Sequence, residues 1–236
     1  MTSSTCVSAA SKLLALCLLG LPAVVRAEPT VQRLNSAATV LSEIMSTPDK
    51  GIPMNLLNRA QCVVVIPGLK AGAFGVGAKY GKGFFSCRKG SGWSAPASIR
   101  VEGGSFGFQI GAIETDVILL VMNRKGAQRL LATQFTLGGQ GEAAAGPVGR
   151  ATTAQTDVSM RAEILSWSRA RGVFAGVSLQ GSTLRQDVSD NAEIYGRPLH
   201  NKEIIYGSVN WPQDASEFHS VLNRYATHAR ARTHRR

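Results

Sequence analysis

Residues 71–83 read AGAFGVGAKYGKG, with five glycines and two lysines in thirteen positions. This stretch decides the fold, because a phosphate-cradling loop and a glycine-rich hairpin lead to different proteins. A P-loop needs G-x-x-x-x-G-K-[ST]. Gly77 and Gly81 have only three residues between them, and Gly83 stands where the hydroxyl residue belongs. A dinucleotide fingerprint needs glycines at relative positions 1, 3 and 6 leading into a helix. Gly75, Gly77 and Gly81 fall at 1, 3 and 7, and the FFSCR that follows is a strand candidate. The stretch therefore reads as a hairpin: AFGVGAKY, a Gly-Lys-Gly turn that leaves Lys82 exposed, then FFSCR.

Working outward, CVVVIP before the hairpin is a β-branched, buried strand stopped by Pro67-Gly68. After it come GWSAPASIRV, a turn at Gly103-Gly104, SFGFQIGAI, and the buried strand DVILLVM. A helix over AQRLLAT follows. Residues 138–156 read as extended segments or loops, and AEILSWSR and GVFAGVSLQG return to strand. AFGVG, SFGFQIG and VFAGVSLQG each set a phenylalanine beside a small residue, with glycine or serine alternating afterwards. Alternation leaves one strand face nearly bare, as happens where a backbone approaches closely or a sheet curls. The expected fold is α+β: a strongly bent antiparallel sheet or barrel packed with a few α-helices.

The helices come from apolar spacing. Val31, Leu34, Ala38, Leu41 and Met45 form one face of a helix over residues 30–46, ended by Thr47-Pro48. PMNLLNRA reads as a short helix with Pro53 in its first turn. Asp214 with Glu217 three positions on reads as a capping box opening a last helix, with Phe218, Val221, Leu222 and Tyr225 on one face.

The N-terminus is set apart. Lys12, the apolar run LLALCLLGLPAVV and Arg26-Ala27 read as a secretory signal peptide over residues 1–27, the run being too short to span a bilayer. Lipidation of Cys17 in LALC is the minor alternative. One domain over residues 28–225 and a basic tail over 226–236 follow. Removing Lys12 and Arg26 lowers the net charge from +11 to +9. Such a balance favours acidic partners, although it also serves simple solubility. Export points away from nucleic acid and towards a periplasmic or secreted location with peripheral membrane association. Cys62 and Cys87 are the cysteines left in the mature chain. An oxidising compartment suggests that they are joined, closing a loop that contributes roughly 3 kcal/mol. Two separate buried thiols are the alternative.

Catalytic signatures fail on context. Gly103-Gly104-Ser105-Phe106-Gly107 matches G-x-S-x-G in letters, but a nucleophile elbow needs a strand before the serine and a helix after it. Here a turn precedes Ser105 and a strand continues through it, so a serine hydrolase is the remote reading. The four histidines, His200, His219, His228 and His234, all lie late in the chain with nothing local to orient them. Glu114 and Asp116 share one strand face, but two carboxylates do not make a calcium site. No cysteine–histidine cluster has metal spacing, and neither cofactor nor metal is expected.

WSAPASI, SFGFQIGAIETDVILLVMN, GPVGR, SWSRARGVFAGVSLQGS and DNAEIYG follow in an order and spacing that resemble the SYLF domain. AQCVVVIPGLKAGAFGVGAKYGKG resembles that family's apolar strand and hairpin. The resemblance implies a non-enzymatic module that binds phosphoinositides or other anionic lipids at a membrane surface, also known as an actin-binding domain after its yeast members. An amphipathic N-terminal helix and basic residues are implicated in eukaryotic members. Candidate lipid contacts here are Lys79, Lys82, Arg88, Lys89, Arg224, Arg230 and Arg232, with Leu34, Leu41 and Met45 on the apolar helix face. Each cation near an anionic surface contributes about 1 kcal/mol. The same residues also read as solvated charges and a core-packed helix. Actin enters as a partner only on delivery to a host cell, and a specific protein partner is unknown. An envelope structural or protein-interaction module with incidental charge is the second reading.

Overall fold

The computed structural model describes residues 28–226 apart from 48–50, 75, 107–110, 139–142, 147–161, 171–172, 176–178 and 180. Residues 1–27, with Cys17, and residues 227–236, with Arg230 and Arg232, lie outside the described residues. Two long strands, β1 (Cys62–Phe74) and β2 (Val76–Lys89), form the central hairpin. β3 (Gly92–Trp93) pairs with the end of β2. β4 (Ala97–Phe106) and β5 (Gly111–Val121) flank the hairpin on either side. Shorter strands complete the sheet: β6 (Gln134–Thr136), β7 (Ala143–Ala145), β8 (Ile164–Ala170), β9 (Val173–Ala175) and β10 (Ser182–Gln186). The order is β6-β10-β4-β2-β1-β5-β8-β7, with β3 and β9 at the margins. All pairings are antiparallel except β7 with β8. The ends of this row are not paired with each other among the described residues, so the sheet is a curled half-barrel instead of a closed barrel.

Both faces of the sheet are covered at its base, which explains the unbroken apolar run at the start of β1. Val63 and Val65 enter one core with Phe84, Ile118 and Leu120, packed by α1 (Thr30–Ser46), α2 (Met54–Arg59) and α6 (Ser216–Ala226). Val64 and Ile66 enter the other with Phe85, Ile99 and Leu119, beneath α3 (Arg124–Leu130) and α5 (Asn201–Tyr206). Between β10 and α5, α4 (Val188–Tyr195) crosses the base of β4. Buried Asn191 fixes it there, accepting from the Ser98 N–H at 2.8 Å and donating to Leu199 and Asn201. The Tyr195 hydroxyl donates to the Pro96 carbonyl at 2.6 Å, and burial pushes its phenol above the usual range.

The opening stretch is a hairpin with a different turn. β2 runs straight through Gly81-Lys82-Gly83, and the chain reverses between Phe74 and Val76. Nor does β1 stop at Pro67-Gly68: it continues to Phe74 through a bulge, with a register shift between Val65 and Lys70 and Gly68 at φ +59°. The glycines of β2 make room for that bulge. A Cβ on Gly83 would lie 2.1 Å from the Val65 carbonyl oxygen, and one on Gly81 would lie 2.7 Å from Leu69 Cδ1. The bulge sharpens the local twist, and the bare stretch of β2 lets the hairpin bend over it.

Other boundaries shift for local reasons. Gly103 and Gly104 lie inside β4, because both pair with β2 and Gly103 also pairs with β10. The helix read over AQRLLAT begins earlier, at Arg124, because the Asn123 side chain accepts from the Gly126 N–H at 2.8 Å. Asp214 is no N-cap: it sits within a 3-10 turn, Gln213–Ala215, that leads into α6. The capping box of this region is His200 with Glu203, on α5. Cys62 and Cys87 are direct cross-strand partners, joined by a disulfide with an S–S distance of 2.04 Å.

Candidate functional site

α1 lies over β1, β2 and β5, and a cleft of about 940 Å³ runs along its polar side. The helix is held by its apolar residues, since Leu34, Ala37, Ala38, Leu41 and Ile44 are completely buried. Two ion-pair clusters then clip its ends. Near the N-terminus, Arg33 reaches Asp190 of α4 at 3.1 Å. Lys82 of β2 reaches Asp190 at 2.8 Å and Asp187 at 2.9 Å. Asp187 is also the N-cap of α4 and accepts from the Asp190 N–H and the Ser189 hydroxyl. Burial works against charge on Lys82, but its bonds to Asp190 and Asp187 outweigh that and raise its pKa. For Asp187, burial is outweighed by the Ser189 hydroxyl, Lys82 and the Asp190 N–H, and its pKa is lowered.

The second clip joins Glu43 of α1 to Arg169 of β8 at 2.5 Å, and Arg169 to Asp116 of β5 at 3.0 Å. Asp116 also accepts from the Gly68 N–H at 3.0 Å, tying the β1 bulge into the same cluster. Burial lowers the Arg169 pKa, but Asp116 and Glu43 together raise it above its usual value. Asp116 thus has a structural task, while Glu114, on the same face, stands exposed. Among the described residues no three metal-ligating side chains form a group. Four basic and six acidic residues line the cleft, which makes it net acidic within a basic chain.

The described candidate lipid contacts lie on several elements. Lys79 and Lys82 are three apart on an unbroken strand and so point to opposite faces. Lys82, read as an exposed turn residue, is mid-strand and 23% exposed because the chain reverses seven residues earlier. Arg88 lies over the Trp93 ring at 3.9 Å, an arrangement that holds β3. Lys89 is exposed and its ammonium donates to the Gly207 carbonyl. Arg224 is exposed in the last turn of α6. Leu34 and Leu41 are buried and Met45 is packed against the same core, so this helix face is occupied by the fold.

Catalytic context is missing at the serine. Ser105 pairs with Gly77 inside β4, and the element after β4 is β5, not the helix of a nucleophile elbow. His219 stacks on Trp211 at 4.1 Å, where burial lowers its pKa. No helix among the described residues is long and apolar enough to cross a membrane.

Residues missed from sequence include Asp187, Asp190 and Arg33. Their signal was present: Asp187-Val-Ser-Asp190 ahead of Ile194 is a helix start with an N-cap and an acidic first turn. Arg100 and Arg185 were also missed. They are cross-strand partners on β4 and β10, and both reach the Glu102 carboxylate, Arg100 at 2.8 Å and Arg185 at 3.1 Å. Only the sheet register brings them together.

The architecture is α+β, with helices clipped to a curled, largely antiparallel sheet. The chain belongs to the Ysc84 (SYLF-domain) family: the family model described as Las17-binding protein actin regulator matches residues 102–225. The SH3 domain-containing YSC84-like protein 1 of Xenopus laevis is 34% identical over 198 residues, covering 80% of this chain and 58% of that one. Its Homo sapiens counterpart is 33% identical over 181 residues, covering 75% and 52%. Protein YSC84 of Saccharomyces cerevisiae is 33% identical over 179 residues, covering 74% and 38%. The chain spans about half the length of the curated relatives it matches. The Xenopus laevis and Homo sapiens relatives are named for an SH3 domain and a likeness to YSC84, while actin regulation is named in the description of the family model.

Proposed function

We propose that this protein is a non-enzymatic binding module that acts at an anionic membrane surface. The distribution of charge carries the reading. Residues 28–226 hold twenty Lys and Arg against fifteen Asp and Glu. The cleft takes four of those cations and six of the anions, so the rest of this region keeps sixteen against nine. The cationic excess therefore lies outside the cleft, where several lysines and arginines together hold a domain reversibly on anionic lipid. The tail beyond Ala226 adds four arginines. The proposal extends to the cell envelope on the reading of residues 1–27 as a signal peptide. Flotation with phosphatidylglycerol or cardiolipin vesicles at low salt tests the reading. Binding that fades as salt rises supports it, and absence of binding at low salt overturns it.

The family description favours a second reading, a module whose partner is a protein. A family described as Las17-binding actin regulators and relatives named for SH3 domains motivate it. This reading expects no flotation and one specific protein captured by crosslinking in cells.

A further inference from the structure

The part of the sheet formed by β4, β10 and β6 carries an arginine pair of its own. Along one row, Arg185 of β10 pairs with Arg100 of β4, and Arg100 pairs with Lys82 of β2. Three cations therefore stand side by side on neighbouring strands, an arrangement that costs stability through repulsion. Lys82 is relieved by two carboxylates of its own. Arg100 and Arg185 share one. The two Glu102 oxygens form ion pairs with the Nε atoms, at 2.8 Å from Arg100 and 3.1 Å from Arg185, without hydrogen-bond geometry, so both buried Nε–H groups stay unsatisfied. The Nη nitrogens of both have no partner among the described residues, and the side chains are 37% and 42% exposed. In the adjoining row, Thr183 partners both Glu102 and Thr136, and the two threonine hydroxyls lie 2.9 Å apart.

We propose that Arg100 and Arg185, bridged by Glu102, form a phosphoryl-binding fork beside the Thr136 and Thr183 hydroxyls. A guanidinium offers parallel N–H donors that match phosphate oxygens, and the Glu102 charge beside each Nε draws the two guanidiniums together while their Nη nitrogens stay open. Two arginines and one glutamate leave one positive charge uncompensated, which a phosphomonoester neutralises. This deepens the membrane reading by naming its headgroup site, but the chemistry is that of any phosphomonoester. Nothing in the fold requires both positions to be arginine, since lysine would keep the charge and the ion pair with Glu102.

The test compares the wild type with the double variant Arg100→Lys/Arg185→Lys, which keeps the charge and loses the fork. Backbone amide shifts are followed on titration with inorganic phosphate and with glycerol 3-phosphate at constant ionic strength. Binding to vesicles of phosphatidic acid in phosphatidylcholine is measured in parallel. Saturable shifts at residues 99–103 and 182–186 are expected in the wild type, weakened about tenfold in the variant. No saturable shift, or one the variant retains, overturns the fork. If phosphate binds and vesicles do not, the site stands and the membrane reading falls. If vesicles bind equally well to both proteins and phosphate shifts nothing, the membrane reading stands and the fork falls. Coincident thermal unfolding of the two proteins shows that the variant is folded.

Discussion

Lys82 and Arg100 are neighbours in one row of the sheet, yet they belong to two kinds of site. At Lys82 the first turn of α4 delivers Asp187 and Asp190, both almost fully buried, and the cation is used up in holding α4 and α1 to β2. At Arg100 and Arg185 a single glutamate serves two guanidiniums that stay about two-fifths exposed. A buried pair is costly to break because the surviving charge has no water to turn to. An exposed pair contributes little to stability, so its arginines are available to a ligand. Charge type therefore says little about function here, and the supply of carboxylates says much.

The comparison can be broken most severely beneath the cleft. Gly83→Ala should abolish the folded domain or lower its stability by more than about 3 kcal/mol, since its Cβ would meet the Val65 carbonyl at 2.1 Å. Urea unfolding followed by tryptophan fluorescence measures this, and a near-native midpoint would show that the bulge can relax. Lys82→Ala should cost about 3 kcal/mol at neutral pH by leaving Asp190 with Arg33 alone and removing the Lys82 cation from Asp187. The pH dependence sharpens the point. The Asp187 pKa is lowered by folding, so its contribution is complete above the unfolded value near 4 and is lost as pH falls through the folded one. The Lys82 pKa is raised, so its contribution is complete below the unfolded value of 10.5 and is lost as pH rises through the folded one. Unfolding midpoints across pH should show both limbs in the wild type and flattened limbs in Lys82→Ala.

Smaller effects are expected outside the cleft. Cys62→Ser/Cys87→Ser should lower stability by roughly 2 to 3 kcal/mol, read as a reduced urea midpoint that reducing agent no longer changes. Arg185→Lys should shift stability by no more than about 0.5 kcal/mol, since it alters one exposed ion pair. A large loss there would place Arg185 with the structural cations and erase the contrast with Lys82.

The curled α+β sheet was expected from the alternation of small and bulky residues in AFGVG and SFGFQIG, stretches that lie partly outside the described residues. Leu34 and Leu41 marked the buried face of α1 by helical spacing. Turn positions were not legible. Gly-Lys-Gly looks like a turn, but its glycines accommodate a bulge in the partner strand, and that crowding depends on the pairing of β1 with β2. Gly103-Gly104 misled in the same way inside β4. The ion-pair clusters were hidden because they join residues distant in sequence, Lys82 with Asp187 and Glu43 with Arg169. Arg100 and Arg185 become a pair only once the register of β4 with β10 is known. Among the described lipid candidates, Lys79 and Lys82 fall on opposite faces, Arg88 lies over a ring, Lys89 meets a carbonyl and Arg224 stays exposed.

Membrane association is the central claim, and a flotation assay over a salt series tests it most directly. The full chain is mixed with phosphatidylcholine vesicles that contain phosphatidylglycerol, cardiolipin or phosphatidic acid, and the floated fraction is measured at each ionic strength. The account predicts capture at low salt by every anionic composition, little by phosphatidylcholine alone, and release as the Debye length shortens. Failure to float with any anionic vesicle at low salt would contradict it, and the protein-partner reading would take its place.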